Sequence, residues 1–305
     1  MSTRTTRKKA GPLAHRITGV PVARLVQGDD ELVHSWLHGK SANTQAAYTA
    51  DLQRFRRFIG PKPLDTVGIA DLQGYADTLA DLRPLSQARA LRAVKSLLSY
   101  GQKLGYLRVN VGAGLQVPKD KDTLAERILT ETEVQRILAL ESDPRNRVLL
   151  RLLYASGARV SELCGLKWKD CIGREDDAGQ VTLYGKREKT RAVLLSEETW
   201  AELAAMQGDA GPDDPVFRSD CRREGATGHL HRSQVNRIVS LAARRAGLDT
   251  AVSPHWFRHA HASHALDRGC PINTLQATLG HANVSTTSRY IHARPNDSSA
   301  RYLGV

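Results

Sequence analysis

Three observations predict a mainly α-helical chain of two domains, the second carrying a small β-hairpin sheet. Apolar residues recur at helical spacing on both sides of a polar break at residues 116–127. A single stretch, 180–195, alternates apolar and polar residues as a strand pair does. The 305 residues suffice for two cores of ordinary size with no disulfide framework.

Charge narrows the partner. Lys plus Arg number 44 against 32 Asp plus Glu, a formal charge of +12 with a pI near 9.8. A polyanion is the commonest reason for such an excess, with nucleic acid first and a membrane surface second. No apolar run approaches the ~20 residues that span a bilayer, and the N-terminus lacks the apolar core of a signal peptide. No membrane partner and a cytoplasmic location are therefore expected. Cys164, Cys171, Cys221 and Cys270 form no C-x-x-C pair, which argues against a structural zinc site and a secreted scaffold. They read as reduced thiols, mostly buried.

Residues 1–27 carry Arg4, Arg7, Lys8, Lys9, Arg16 and Arg24 with no acidic residue, the composition of a flexible basic arm that can touch phosphates without sequence preference. Residues 28–115 read as a helical domain. Tyr48, Leu52, Phe55 and Phe58 fall at spacings of three and four, with Asn43 and Thr44 where an N-cap belongs. A second helix over 85–104 turns Leu91, Val94, Leu97 and Leu98 inward and sets Arg89, Arg92, Lys95 and Lys103 around its other faces. Residues 116–127, with Pro118 and alternating Lys119, Asp120, Lys121 and Asp122, form an exposed linker. The second domain, 128–305, opens on a Thr130-x-x-Glu133 capping box. It continues helically except for the hairpin, whose tip is Gly185-Lys186-Arg187-Glu188-Lys189.

Attack on a phosphodiester needs a nucleophile, cationic donors for the non-bridging oxygens and a proton for the departing oxygen. The second domain has a candidate for each. Arg159 lies just after Gly157, which breaks one helix, and stands i, i+3 from Glu162, close enough for the carboxylate to orient the guanidinium. Ser253-Pro254 starts a helix that places His255 and Arg258 on one face. His255 and His259 are also i, i+4, with His261 and His264 close behind. The H-E-x-x-H glutamate is absent, however, and no third ligand is evident, so no metal is expected. Pro271 opens a helix that Gly280 closes, and His281 follows at once. Ser285 or Thr286 then caps a short helix bearing Tyr290, whose hydroxyl becomes a nucleophile if cations favour the phenolate or a base takes its proton.

The ordered set Arg159, Lys186, His255-x-x-Arg258, His281 and Tyr290 resembles the catalytic set of the tyrosine recombinases, also called phage integrases, and most of all their Xer-type members. Leu279-Gly280-His281 followed by Ser285-Thr286-Thr287 and Tyr290 carries the likeness furthest. Ser253-Pro254-His255, Arg258-His259-Ala260 and Ala158-Arg159-Val160-Ser161-Glu162-Leu163 add to it, as does Gly185-Lys186 with Lys189 and Arg191. The resemblance implies a SAM-like helical core-binding domain over 28–115 and a catalytic domain over 128–305. It further implies that Arg159 and Arg258 clamp the scissile phosphate while Tyr290 attacks it, leaving a 3′-phosphotyrosyl link and a free 5′-hydroxyl. Lys186 would protonate the leaving oxygen, with Lys189 the alternative at the same tip. His255 would act as general base or charge stabiliser, and His281 would hydrogen-bond a phosphate oxygen. Exchanging one phosphodiester for another is nearly energy-neutral, and two arginines can do electrostatic work often given to a metal; no cofactor is expected.

The implied partner is double-stranded DNA. The chain would act on it as a homo-tetramer, or as a hetero-tetramer with a second recombinase, through a Holliday junction. No further folded domain is expected before residue 28, and on that expectation Xer-like chromosome or plasmid dimer resolution in chromosome partition is preferred to mobile-element integration. Three other readings remain: a catalytically silent DNA-binding protein of the same fold, a type IB topoisomerase-like relaxing enzyme, and a helical transcription regulator.

Overall fold

The computed structural model describes residues 25–118, 124–175, 178–185, 190–219 and 228–290. Most of the basic arm, Lys119 to Asp122 of the linker, Lys186 and Lys189 at the hairpin tip, Cys221, and the segment after Tyr290 lie outside the described residues. The chain divides into two compact units, Met1–Lys121 and Asp122–Val305.

The first unit is helical: α1 Asp29–Leu37, α2 Ala42–Ile59, α3 Ile69–Asp77 and α4 Pro84–Lys103. In α4 a proline at the first helical position leads into Leu91, Val94, Leu97 and Leu98, all buried as the helical spacing predicts. Phe55 meets the edge of Tyr75 with ring centroids 4.9 Å apart, and Trp36 stacks on Tyr48 at the same distance.

Two local expectations fail in this unit. The N-cap of α2 is Ser41, with extended backbone, and not Asn43 or Thr44. Thr44 instead sits in the first turn, its hydroxyl 2.9 Å from that of Ser41. Phe58 departs from the buried stripe at 41% exposure; it lies on the rim of the core, tilted against Tyr75. Among the basic side chains around α4, Arg89 is half-exposed and pairs with the buried carboxylate of Asp51 at 3.0 Å.

The second unit begins with α5 Glu131–Ala139, α6 Pro144–Ser156 and α7 Val160–Cys164. The predicted capping box is present at α5: Thr130 Oγ1 accepts from the Glu133 N–H at 3.2 Å, and Glu133 Oε2 accepts from the Thr130 N–H at 2.7 Å. An antiparallel sheet follows in the order β1 Cys171–Gly173, β2 Gly179–Tyr184, β3 Thr190–Leu195. Val181 pairs with Val193, and the two-residue alternation buries Val181, Leu183, Val193 and Leu195 against the helices. The hairpin was legible in the sequence; β1 was not, because three residues are too few for an alternation to register.

The helices α8 Glu197–Ala204, α9 Arg232–Arg245, α10 Pro254–Asp267, α11 Ile272–Leu279 and α12 Val284–Ser288 complete this unit. Its main core joins α5, α6, α9 and α10 to the inner face of the sheet. A smaller cluster of Leu124, Ile128, Ala262, Leu275 and Leu279 encloses the side chain of Tyr290. Cys164, Cys171 and Cys270 are free thiols, as read from the sequence, but only half-buried, since each packs at an edge of its cluster.

Gly179 lies directly under Trp200 of α8, where an added Cβ would overlap the indole ring. Gly179→Ala must push Trp200 off the sheet, an overpacking that costs about 1–3 kcal/mol. Urea unfolding monitored by tryptophan fluorescence checks this, and unchanged stability would contradict the packing described.

Candidate active site

The site is built where the end of α6 meets α7, β3, α10 and α11. Helix α6 stops at Gly157, in the left-handed region with φ 56°. A Cβ there would also run into His261 and Leu279, so both backbone and space call for glycine. The turn frees the Gly157 carbonyl, which accepts from Arg258 Nη1 at 2.5 Å, and brings Arg159 to the start of α7.

Glu162, on the first turn of α7, holds two arginines. Its Oε2 accepts from the Arg159 N–H at 2.8 Å and its Oε1 from Arg159 Nη1 at 3.0 Å. Arg191 of β3 meets the same carboxylate through both terminal nitrogens, at 3.0 and 2.7 Å, while its Nε donates to the Thr278 carbonyl of α11 at 2.6 Å. The Glu162 side chain is 2% exposed. Burial pushes its acidity toward the neutral form, yet the bonds from Arg191 and Arg159 outweigh that and hold its pKa below the usual 4.5.

Helix α10 supplies the other cation. Ser253 and Pro254 start it as the sequence indicates, although Ser253 makes no side-chain cap bond. Arg258, 3% exposed, donates to the carbonyls of Gly157 and, at 2.7 Å, Leu279. Both of these acceptors are neutral, and burial first, then the charge of Arg159, brings its pKa down to about 10 against the opposing charge of Glu162. His255, one turn before on the same face, is open to solvent at the rim. Neighbouring protein atoms, then the charges of Arg258 and Arg159, lower its pKa.

His281 follows the left-handed Gly280, φ 62°, that ends α11. Its Nδ1 lies 2.9 Å from Thr287 Oγ1, and burial, then Arg258, Arg159 and Arg191, lower its pKa to about 4. The last helix differs from expectation. Asn283, not Ser285 or Thr286, caps α12 by accepting from the Ser285 N–H at 3.1 Å. The helix ends at Ser288, so Tyr290 stands in the turn beyond it. That turn tucks Tyr290 in at 6% exposure, its hydroxyl 2.8 Å from His259 Nδ1. Burial raises the phenol pKa, and the opposing charges of Arg258 and Arg289 do not reverse it.

Arg159, His255, Arg258, His281 and Tyr290 thus share one electrostatic neighbourhood: Arg258 perturbs His255, His281 and Tyr290, and Arg159 perturbs His255, Arg258 and His281. Lys186 and Lys189 fall outside the described residues. Sequence reasoning missed the hydrogen bond between His259 and Tyr290, having weighed His259 as half of a metal pair and as part of the Arg258-His259-Ala260 stretch without giving it a role. It also left Arg191 without a partner. Separations of 31 and 29 residues carry no local signal; the helical i, i+4 spacing of His255 and His259 was the one available hint. Three guanidinium groups around one carboxylate, beside a buried tyrosine hydroxyl, have the charge to suit a phosphate diester.

Because the folded pKa of Glu162 is depressed, its contribution to stability is complete above the unfolded value near 4.5 and is lost as pH falls through the folded one. Glu162→Gln should cost on the order of 3 kcal/mol at neutral pH by leaving two guanidinium groups unpaired. It should also flatten the fall in stability below pH 4.5. Thermal melts of both proteins across pH 3–7 check this; parallel curves would remove Glu162 from its assigned place.

Residues 127–297 match the model of the phage integrase family. The tyrosine recombinase XerC of Xylella fastidiosa (strain Temecula1) is 32% identical over 282 residues, 89% of this chain and 92% of the relative. The tyrosine recombinase XerD of Pseudomonas aeruginosa is 33% identical over 288 residues, 88% of this chain and 93% of the relative. Among solved structures, a lambda integrase dimer bound to a COC′ core site matches with TM-score 0.68 at 21% identity, covering 87% of this chain and 78% of that one. The XerH site-specific recombinase bound to difH in a pre-cleavage complex matches with TM-score 0.66 at 20% identity, covering 85% and 77%.

Proposed function

The chain belongs to the phage integrase family of tyrosine recombinases, and from that premise we propose how its residues cut and rejoin DNA. Arg159 and Arg258 take the non-bridging oxygens of the scissile phosphate, and Tyr290 attacks phosphorus to form a 3′-phosphotyrosyl bond. The 5′-oxygen leaves with a proton from Lys186, with Lys189 the alternative donor at the same tip. His281 hydrogen-bonds a phosphate oxygen, and His255 acts as general base or charge stabiliser. The observation that carries this reading is Arg258. It is buried, hydrogen-bonded by the Gly157 and Leu279 carbonyls among the described residues, and its pKa is lowered by that burial first and then by Arg159. Such a charge is poised for an anion that compensates it.

The first unit, over 28–115, serves as the core-binding domain and 128–305 as the catalytic domain, with 116–127 joining them and the basic arm of 1–27 adding phosphate contacts. The substrate is double-stranded DNA, engaged by a homo-tetramer or by a hetero-tetramer with a second recombinase. Similarity to both XerC and XerD over about nine-tenths of the chain supports dimer resolution in chromosome partition over mobile-element integration. No helix among the described residues is long and apolar enough to cross a membrane, which is compatible with work in the cytoplasm.

The test is to incubate the protein with nicked genomic DNA fragments in EDTA and resolve the mixture under denaturing conditions. Wild type should leave a protein–DNA adduct and Tyr290→Phe none; an adduct persisting in Tyr290→Phe would overturn the assignment. Arg258→Ala should lower the adduct rate about 10²–10³-fold while DNA retention on filters changes little, because other phosphate contacts carry binding. An unchanged rate would remove Arg258 from the site.

A further inference from the structure

We propose that His259 is a catalytic residue, the group that takes the proton of Tyr290 as the tyrosine oxygen attacks phosphorus. The inference rests on Tyr290 being the nucleophile and goes beyond it by naming where its proton goes. The Tyr290 hydroxyl lies 2.8 Å from His259 Nδ1, within the ~2.6–3.2 Å reach of a general base. Among the described residues it is His259, and not His255, whose ring meets that hydroxyl. The His255 ring instead lies against His259, with centroids 5.8 Å apart and planes 17° off parallel. His259 comes from the middle of α10, whose neighbour Arg258 is fixed by two carbonyls, so the base and the phosphate-binding cation are set on one rigid element.

The surroundings suit the role. Burial, then the neighbouring His255 and the charges of Arg258, Arg127 and Arg289, bring the His259 pKa down to about 4, so the ring is neutral at physiological pH. With its hydrogen on Nε2, Nδ1 carries the lone pair that receives the tyrosine O–H. A phosphate that pairs with Arg258 removes one of the charges that disfavour protonation of His259. Its proton affinity therefore rises when substrate is seated.

The step balances. As the O–H electrons of Tyr290 become the new oxygen–phosphorus bond, the proton passes to His259 Nδ1. The phosphorus–O5′ bond breaks with its electron pair on O5′, which takes a proton from the hairpin lysine. Religation runs the same transfers backwards, with the imidazolium of His259 returning the proton to the departing tyrosine oxygen. This assignment leaves His255, open at the rim, as the stabiliser of phosphate charge.

The experiment compares initial rates of adduct formation on nicked genomic DNA fragments for wild type, His259→Ala and His259→Gln, with folding checked by circular dichroism. Both variants should be slowed about 10²-fold or more, and added imidazole should accelerate His259→Ala but not wild type. The glutamine variant separates proton transfer from placement, because its amide can hydrogen-bond Tyr290 but cannot take the proton. Adduct formation by His259→Gln at the wild-type rate would overturn the inference while leaving Tyr290 as nucleophile. Failure of wild type itself to form a Tyr290-dependent adduct would sink the underlying reading and the inference with it.

Discussion

Crowding of like charge governs the second unit. Arg159, Arg191 and Arg258 converge where burial makes unpaired cations costly, and the fold meets that cost unequally. Glu162 compensates two of the three, accepting from Arg159 and from both arms of Arg191. Among the described residues Arg258 is hydrogen-bonded by the Gly157 and Leu279 carbonyls, and the Glu162 charge reaches it without a direct bond. The consequences spread to neighbouring groups: beyond the effect of burial, Arg258 further lowers the proton affinity of His255, His259 and His281. A centre held at such positive potential favours a phosphate over a neutral ligand before any substrate contact is specified.

The same constraint explains several backbone choices. Gly157 must be glycine so that α6 can stop in a left-handed turn and aim its carbonyl at Arg258. Gly280 ends α11 in the same way, with Arg191 packed where a side chain would project. Arg191 also ties the sheet to α11 through the Thr278 carbonyl. The small sheet therefore anchors the cationic centre as well as carrying the lysine hairpin.

Much of this was legible in the sequence, and the reasons differ by element. The capping box of Thr130 and Glu133, the hairpin alternation around Val181 and Val193, and the glycine stops at residues 157 and 280 are all encoded within a few residues. The Arg159–Glu162 pair and the His255-x-x-Arg258 spacing belong to single helical turns, so their faces could be read directly. What escaped depends on contacts between distant segments. Nothing near Arg191 announces Glu162, and nothing near His259 announces Tyr290. The caps of α2 at Ser41 and of α12 at Asn283 escaped because adjacent Ser, Thr and Asn residues compete for the same capping role. Burial of the phenol was equally hidden; of the two routes the sequence left open for Tyr290, cations favouring the phenolate or a base taking its proton, the raised pKa runs against the first.

The central claim is that this cationic centre holds the scissile phosphate while Tyr290 bonds to it. The most direct test is a crystal structure of the covalent protein–DNA complex trapped on a nicked duplex. The account predicts continuous density from the Tyr290 oxygen to phosphorus, with Arg159 and Arg258 within hydrogen-bond distance of the non-bridging oxygens and Arg191 still on Glu162. A phosphate bonded to another residue, or held away from Arg258, would contradict it.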